Sequence, residues 1–223
     1  MCSETRDGHY TRRTRHGKSI AAPSLVGEAR GVDIDLIAPD AAWHQEWLRN
    51  VAEWGDVTHH PGSGSALARE LDLTAPSDFA TWVDRLNAAT TIDRSGELLP
   101  ATTWWIVRGE RYLGAIQLRH ELSPMLAELG GHIGYHVRPS ARRRGVASAA
   151  LCEVVRRAEG IGLTEVLVTC DEGNLASRRT AESAGGVLTR IRPVDDFAVG
   201  HGFLEPTCHY WLPTAPDVAH RVT

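Results

Sequence analysis

The residues with the clearest chemical potential in this 223-residue chain lie between Val137 and Ser148. Three arginines, Arg142–Arg144, come directly before Gly145 and Ala147, where an amphipathic helix is predicted to begin. The first turn of a helix has N–H groups without intrahelical partners, and small residues let the backbone approach a ligand closely. Guanidinium groups add charge-assisted hydrogen bonds to phosphate oxygens. The pattern predicts a pyrophosphate site, with a solvated basic turn as the alternative.

This stretch differs from two other phosphate-binding motifs. A P-loop has Gly-Lys followed by Ser or Thr, and a dinucleotide-binding turn has G-x-G-x-x-G. Neither occurs here. The sequence therefore favours another kind of strand-to-helix anion site.

The spacing Arg142-x-x-Gly145-x-Ala147 resembles the Q/R-x-x-G-x-G/A acetyl-CoA signature of the GNAT superfamily of N-acetyltransferases. The order of the preceding GYHVRP and the following helix, strand and Asn174-x-x-Ser177 agrees over about residues 100–190. The segments IQLRH, GGHIGYHVR and VTCD are similar to a bacterial subgroup of acetyltransferases. The resemblance implies an α/β fold with a mixed, mostly antiparallel central sheet that splays into a V-shaped CoA cleft, flanked by about four helices.

The resemblance also implies where acetyl-CoA, the co-substrate, would lie. The gap between the strands at 131–137 and 165–171 would hold it, with the backbone of Tyr135 and Val137 pairing with the pantetheine amides beside His136 and Arg138. Asn174 would reach the pantetheine, with Ser177 nearby, although Asn174 also fits a plain helix N-cap. The pyrophosphate would be held by the backbone amides of Arg143, Arg144, Gly145, Val146, Ala147 and Ser148.

Attack of an amine on a thioester needs a neutral amine, a donor to the carbonyl oxygen and a means of protonating the leaving thiolate. Many GNAT members use a glutamate on the strand before the CoA loop, where this sequence has His132. We predict His132 as the general base, since histidine titrates near neutral pH, and Gly134 is predicted to leave ligand space beside it. Glu121 and Asp171 are the competing candidates.

The usual acid, a tyrosine seven residues past the asparagine, is replaced by Ala181. Tyr135 and Tyr210 are available by type for this role, and Tyr135 is the catalytic candidate. Solvent, or the backbone amide that holds the carbonyl oxygen, is the alternative. Cys170 ends an apolar strand and is interpreted as core rather than as a nucleophile.

The predicted function is an acetyl-CoA-dependent N-acetyltransferase (EC 2.3.1 class). It would transfer the acetyl group to a primary amine of a small molecule or peptide by direct attack in a ternary complex. Two alternatives remain. One is a GNAT-fold acyltransferase with another donor, either a different acyl-CoA or an aminoacyl-tRNA. The other is a CoA-binding regulatory module without turnover.

The composition of the chain limits which binding partners are expected. The net charge of −4 and the pI near 6.3 argue against a protein built mainly to bind nucleic acid. No apolar run approaches the ~20 residues that span a bilayer, and no secretory h-region is present, so we expect a cytoplasmic protein. The four cysteines have no metal-ligand spacing, and no metal site is predicted. A homodimer is a possible assembly.

The elements that must position these residues follow the order β-α-α-β-β-β-α-β-α-β-β. Alternation predicts the first strand at 32–38, and Asp40 is the expected N-cap of a helix whose apolar stripe runs from Trp43 to Trp54. Ser77 or Asp78 is expected to cap the second helix. The runs at 102–107 and 112–118 predict a hairpin, 123–129 is predicted to form a helical turn, and a Gly-containing loop is expected between the last two strands at 187–191 and 207–212. We predict a disordered arm at 1–30, a single GNAT domain at 31–214 and a flexible tail at 215–223.

Overall fold

The computed structural model describes residues 32–54, 60–91 and 99–215. The arm predicted at 1–30 and nearly all of the tail predicted at 215–223 lie outside the described residues. The proposed domain limits stay predictions.

The first sheet is antiparallel and has the order β1-β2-β3-β4. Its strands are β1 (Asp35–Ile37), β2 (Ala101–Arg108), β3 (Arg111–Arg119) and β4 (Ile133–Val137). The predicted hairpin between β2 and β3 is present, and Gly109 in its turn has a φ of 55° that suits glycine. The register pairs Ile116 with Tyr135 and Gln117 with Gly134, which fixes the face each β4 side chain occupies.

The second sheet is also antiparallel, with the order β5-β7-β6. It contains β5 (Glu165–Asp171), β6 (Val187–Arg192) and β7 (Thr207–Pro213). No ladder joins β4 to β5, although His132, just before β4, bonds to Leu167 of β5. The two sheets therefore meet near His132 and separate toward the C-terminal ends of β4 and β5.

Five helices flank the sheets in the described part of the chain. They are α1 (His44–Trp54), α2 (Pro76–Ala88), α3 (Val146–Glu159), α4 (Leu175–Ser183) and α5 (Asp196–Gly200). A short 3-10 turn precedes α1, and Asp40 caps it by accepting from the amide of Ala42 at 2.9 Å, as predicted. The mixed α/β fold class predicted from the sequence is confirmed.

Two apolar cores lie on opposite faces of the first sheet. One contains Leu151 and Val154 of α3 with Ile116 and Ile133, and the other contains Trp47 of α1 and Trp82 of α2 around Trp105. Because side chains alternate along a strand, odd-numbered β4 residues face α3 and even-numbered ones face α1. The predicted apolar stripe of α1 is thus mainly core.

Two local features differ from the sequence-based predictions. Helix α2 begins at Pro76 after Ala75, with no side-chain cap, because Asp78 accepts from the amide of Asp72 instead. The helical turn predicted at 123–129 is present as a π-helical turn at Leu126–Gly130. Helix α5 was missed: it is only five residues long and is capped by Asp195 within a segment interpreted as a loop.

Candidate functional site: a splayed strand pair and a helix N-terminus

The vertex of the gap is closed by hydrogen bonds between His132 and Leu167. The amide of His132 donates to the Leu167 carbonyl at 2.7 Å, and the amide of Leu167 donates to Nδ1 of the His132 ring at 2.9 Å. An imidazole thus occupies the place that a backbone carbonyl would take in a continued ladder. Beyond this point β4 and β5 do not pair.

This arrangement argues against the prediction that His132 is the general base. Its Nδ1 lone pair is used by Leu167, and burial, with the nearby charge of Arg119, lowers its pKa to about 4. A base is effective when its pKa is close to the working pH. A histidine that holds the two sheets together is a better description of this side chain.

The free edge of β4 presents backbone groups to the gap. Hydrogen bonds from Arg119 to His132 and from Arg138 to Leu113 mark the even-numbered β4 positions as those bonded to β3. In an antiparallel ladder the alternate residues, Tyr135 and Val137, then direct their backbone groups away from β3. Of these groups, the Val137 carbonyl already accepts from Nε of Arg142 at 3.1 Å.

The loop after β4 leads into an uncapped helix end. Arg143 (φ 56°) and Gly145 (φ 76°) both have left-handed backbone, and no side chain caps α3 at Gly145. A non-glycine residue rarely adopts such a φ, so the local fold holds Arg143 in a strained conformation. The amides of the first α3 turn are left for water or a ligand.

Arg142 makes two contacts within the protein, and its role as a phosphate ligand stays a prediction. Besides its bond to the Val137 carbonyl, its guanidinium lies 4.3 Å from the ring centroid of Trp54 at the end of α1. These contacts orient the loop against α1. Arg143 and Arg144 are exposed and remain the predicted phosphate contacts.

Arg138 is the most heavily bonded residue of the loop. It is 4% exposed and forms salt bridges with Glu46 and Glu53 of α1, and it also donates to the Tyr112 carbonyl at 2.7 Å. Glu53 in turn accepts from the amide and the hydroxyl of Ser140, at 3.1 and 3.0 Å. Helix α1 therefore fixes the strand-to-loop junction. Arg138 is not free to contact a ligand as predicted.

The space predicted at Gly134 is filled by protein. A Cβ placed at Gly134 would lie 2.9 Å from the amide nitrogen of Gly62, and one at Gly62 only 2.1 Å from the Gly134 carbonyl oxygen. Glycines at both positions let the loop of residues 60–65 pack directly on β4. His136 is likewise enclosed: its Nδ1 lies 3.1 Å from the Pro61 carbonyl, and burial lowers its pKa to about 4.

The sequence matches a family model described as "Acetyltransferase (GNAT) domain" over residues 39–187, about two thirds of the chain. The chain belongs to the GNAT acetyltransferase family. By class it is therefore an N-acetyltransferase. A sequence search among curated proteins gives no match.

Solved structures share the GNAT fold at low sequence identity. Microcin C7 self immunity acetyltransferase MccE, in complex with acetyl-CoA and AMP, has a TM-score of 0.55 at 14% identity, covering 82% of this chain and 93% of that one. RimL, a ribosomal L7/L12 α-N-protein acetyltransferase in complex with CoA, has a TM-score of 0.52 at 18% identity, covering 82% and 95%. An acetyltransferase from Salmonella typhimurium that modifies the N-terminal serine of L7/L12 has a TM-score of 0.54 at 15% identity, covering 82% and 96%.

In this GNAT protein, Tyr135 of β4 extends toward α4. Its hydroxyl lies 3.5 Å from the Ser177 carbonyl, and burial raises its pKa, so the phenol stays protonated at neutral pH. Ala181 of α4 is fully buried, which leaves no polar group at that helix position. Tyr210 is engaged elsewhere, because it donates to Glu182 and accepts from Arg178. Of the two tyrosines, Tyr135 is the one whose hydroxyl is not bonded to a charged side chain.

The remaining predicted residues occupy different sides of the gap. Asn174 is an N-cap, accepting from the Ser177 amide at 3.1 Å, and its ligand role stays a prediction. Asp171 lies at the end of β5 and is exposed as a residue, but partial desolvation of its carboxyl, followed by the charge of Glu205, raises its pKa. Glu121 follows β3, and β4 lies between β3 and the gap, so Glu121 is the less suitable base.

Sequence reasoning missed Glu53, which does more than any other acidic residue to hold the loop. Its only signal was a carboxylate at the polar side of α1, which is common on solvated helices. Within residues 32–54, 60–91 and 99–215, no cluster of three His, Cys, Asp or Glu side chains is arranged to hold a metal. No helix in those ranges has the length and hydrophobicity to span a membrane.

Proposed function

We propose that this GNAT protein is an acetyl-CoA-dependent N-acetyltransferase that acts on a primary amine of a small molecule or peptide in a ternary complex. The observation that carries the proposal is the uncapped N-terminus of α3 at the end of an unpaired edge of β4. The unpaired edge of β4 offers backbone groups that can pair with the pantetheine amides of CoA. The N-terminus of α3 offers free amides that can bind its pyrophosphate. Solved GNAT structures with acetyl-CoA and with CoA support the same choice.

Each part of the chain has a distinct role in this proposal. Acetyl-CoA supplies an activated acetyl thioester. Backbone groups of Tyr135 and Val137 bind the pantetheine, aided by Asn174 and Ser177. The amides from Arg143 to Ser148 bind the pyrophosphate, and the Ser183 hydroxyl, bonded to Ser148 at 3.0 Å, steadies the first turn of α3.

The proton donor in this proposal is Tyr135. Its side chain lies on the α4 side of β4 near Cys170 of β5, and burial raises its pKa, so the phenol is protonated at neutral pH. This supports a change of position for the acid: the hydroxyl comes from the strand instead of from α4, where the chain has Ala181.

Asp171 is the proposed acceptor-side carboxylate. It shares a strand face with Thr169, which is opposite to the face of Cys170 that packs in the α3 core. The carboxylate is suited to bind the ammonium of the acceptor and to take its proton. His132 is proposed as a positioning residue at the vertex and not as the base.

The site favours an acceptor amine that loses its proton easily. An α-amino group has a pKa of about 7.7–8.0, against about 10.4 for lysine, so far more of it is neutral at pH 7. A carboxylate is a weak base for either amine, and the α-amine therefore needs less help. Two of the similar structures modify protein N-termini, which supports a peptide α-amine as the acceptor here.

Thioester turnover tests the proposal. The purified chain is incubated with acetyl-CoA and a panel of peptides and small amines, and release of CoA thiol is followed together with the mass of the products. We expect an acceptor-dependent mass gain of one acetyl group. Acetyl-CoA binding without turnover on any amine would favour the regulatory-module alternative, and faster turnover of another acyl-CoA would change the donor.

A further inference from the structure

Three arginines, two from the β2–β3 hairpin and one from the CoA loop, line one surface hollow. Arg108 ends β2, Arg111 begins β3 and Arg144 precedes α3. The hydroxyl-bearing Ser140 contributes to the rim. The apolar part of the lining is formed by Leu113, Ala141 and Val146.

The positive charges in this hollow have no acidic partner in the described part of the chain. No carboxylate there lies within 4 Å of the three guanidiniums, whereas Arg138, Arg156 and Arg192 all form salt bridges. Among the described residues, the one hydrogen bond that these arginines donate runs from Nε of Arg108 to the Asp33 carbonyl at 2.7 Å, and that acceptor is neutral. Like charges gathered in this way repel one another unless an anion joins them.

The hairpin geometry keeps these donors in place. Arg108 and Arg111 are directly paired across the two strands, and Gly109 in the turn has open space around it. The bond from Arg108 to Asp33 uses Nε, and the two terminal nitrogens of the guanidinium have no hydrogen-bond partner among the described residues. Planar forks of this kind suit phosphate oxygens, which accept two parallel N–H bonds.

The position of Arg144 connects this hollow to the proposed pyrophosphate site. Arg144 is two residues before the first-turn residue Val146, and both line the hollow. A CoA molecule has a diphosphate and, on its ribose, a separate phosphate monoester. A ligand whose diphosphate lies at the α3 N-terminus therefore has its remaining dianion close to these arginines.

We propose that the hollow formed by Arg108, Arg111 and Arg144 binds a phosphate monoester, the 3′-phosphate of CoA. The inference rests on the proposed acetyl-CoA function and adds a specificity determinant to it. The β2–β3 hairpin, which lies outside the strand-to-helix motif, distinguishes CoA from its 3′-dephospho form. The charge of the site makes this discrimination sensitive to salt.

Isothermal titration calorimetry with CoA and 3′-dephospho-CoA tests the assignment. The proteins are wild type, the double variant Arg108→Gln with Arg111→Gln, and Arg69→Gln, which neutralises one exposed arginine elsewhere. Arg144 is kept because it also belongs to the pyrophosphate loop. We expect wild type and Arg69→Gln to prefer CoA by about tenfold or more, the effect of losing charge-assisted hydrogen bonds.

In the double variant, the affinity for CoA should fall to that for 3′-dephospho-CoA, while the affinity for 3′-dephospho-CoA stays at the wild-type value. An unchanged preference in the double variant, or no preference in wild type, would overturn the proposal. If neither ligand binds wild type, the acetyl-CoA function itself fails, and that result is distinct from a lost preference. Unfolding temperatures without ligand confirm that each variant is folded.

An experiment with inorganic phosphate distinguishes a site for the 3′-phosphate of CoA from a site for a free phosphate anion. Phosphate that raises the unfolding temperature of wild type but not of the double variant, together with the lost CoA preference, supports one site for the ribose phosphate. The opposite result is that the double variant loses stabilisation by phosphate but keeps its preference for CoA. This would assign the hollow to a free anion and reject the CoA assignment. The variant Arg111→Lys, which keeps the charge but loses the fork, should give an intermediate preference.

Discussion

Nδ1 of His132 accepts a hydrogen bond from the amide of Leu167 at 2.9 Å, so a side chain closes the vertex between two sheets. The relationship assigns the ring a tautomer with its proton on Nε2. It also explains why a histidine on the strand before the CoA loop need not be a base. Because of this bond, mutation of His132 can separate a structural role as hydrogen-bond acceptor from a catalytic role as general base.

The first prediction concerns His132→Asn and His132→Ala. The amide oxygen of asparagine can replace Nδ1 as acceptor, whereas alanine leaves the buried Leu167 N–H without a partner, at a cost of about 1–3 kcal/mol. We expect His132→Asn to retain kcat within a few-fold and His132→Ala to lower the free energy of unfolding. Denaturant titration and steady-state kinetics measure both. A loss of kcat by a factor of 100 or more in a stable His132→Asn would restore the base assignment.

The second prediction is acid sensitivity of the fold. Burial lowers the pKa of both His132 and His136 from about 6.5 to about 4. Between these values the unfolded chain binds protons that the folded chain does not, so stability is full above pH 6.5 and falls as the pH drops toward 4. Unfolding temperatures measured from pH 7.5 to 4.5 should decrease, and less steeply in His132→Asn. Equal stability at pH 7 and pH 5 would contradict this.

The third prediction tests the link between α1 and the loop. Glu53→Ala removes the acceptor for Ser140 and one of two carboxylates that pair with the buried Arg138, so we expect about 1–3 kcal/mol of destabilisation and weaker CoA binding. Arg49→Ala is the matched control, because Arg49 forms an exposed pair with Glu46 on the same helix and should change stability by less than about 0.5 kcal/mol. Similar effects in the two variants would show that the loop does not depend on α1.

The hydrogen bonds from Arg138 lower the pKa of Glu53 to about 2. Its contribution is therefore present above the unfolded pKa near 4.5 and is lost as the pH falls toward 2. The stability difference between wild type and Glu53→Ala should shrink over that range.

The fourth prediction compares two glycines with positive φ. Gly62 (φ 74°) has no room for a Cβ against the Gly134 backbone, whereas Gly109 (φ 55°) has nothing within 4 Å of that position. Gly109→Ala should cost about 1 kcal/mol from backbone strain alone, and Gly62→Ala should cost more because backbone must move. Thermal unfolding of both variants measures the difference. Equal costs would mean that the 60–65 loop does not pack on β4 as described.

The fifth prediction addresses the proton donor. Tyr135→Phe retains the ring but removes the phenol, so we expect kcat to fall by about 100-fold or more with little change in the affinity for CoA. Tyr210→Phe is the control: it removes a hydroxyl bonded to Glu182 and Arg178 behind α4, and it should alter stability rather than kcat. An unchanged kcat in Tyr135→Phe would leave protonation of the thiolate to solvent.

The sequence by itself determined most of the elements and the position of the predicted anion-binding motif. Periodicity identified α1, α3 and the β2–β3 hairpin, and the small residues after Arg144 marked the helix N-terminus, because these signals are local. The family assignment and the fold class, read from the same stretch, are confirmed.

The tertiary structure decided which side chains are available. Gly134 looked like ligand space because its neighbour across space, Gly62, is 72 positions away in the sequence. Arg138 looked like a ligand residue because its partners, Glu46 and Glu53, belong to a helix more than 80 positions earlier. His132 looked like a base because nothing local reveals that Leu167 would take its lone pair. The hydrogen-bonding capacity of a polar residue is set by its type, but which partner uses that capacity depends on long-range packing, and only the folded chain specifies it.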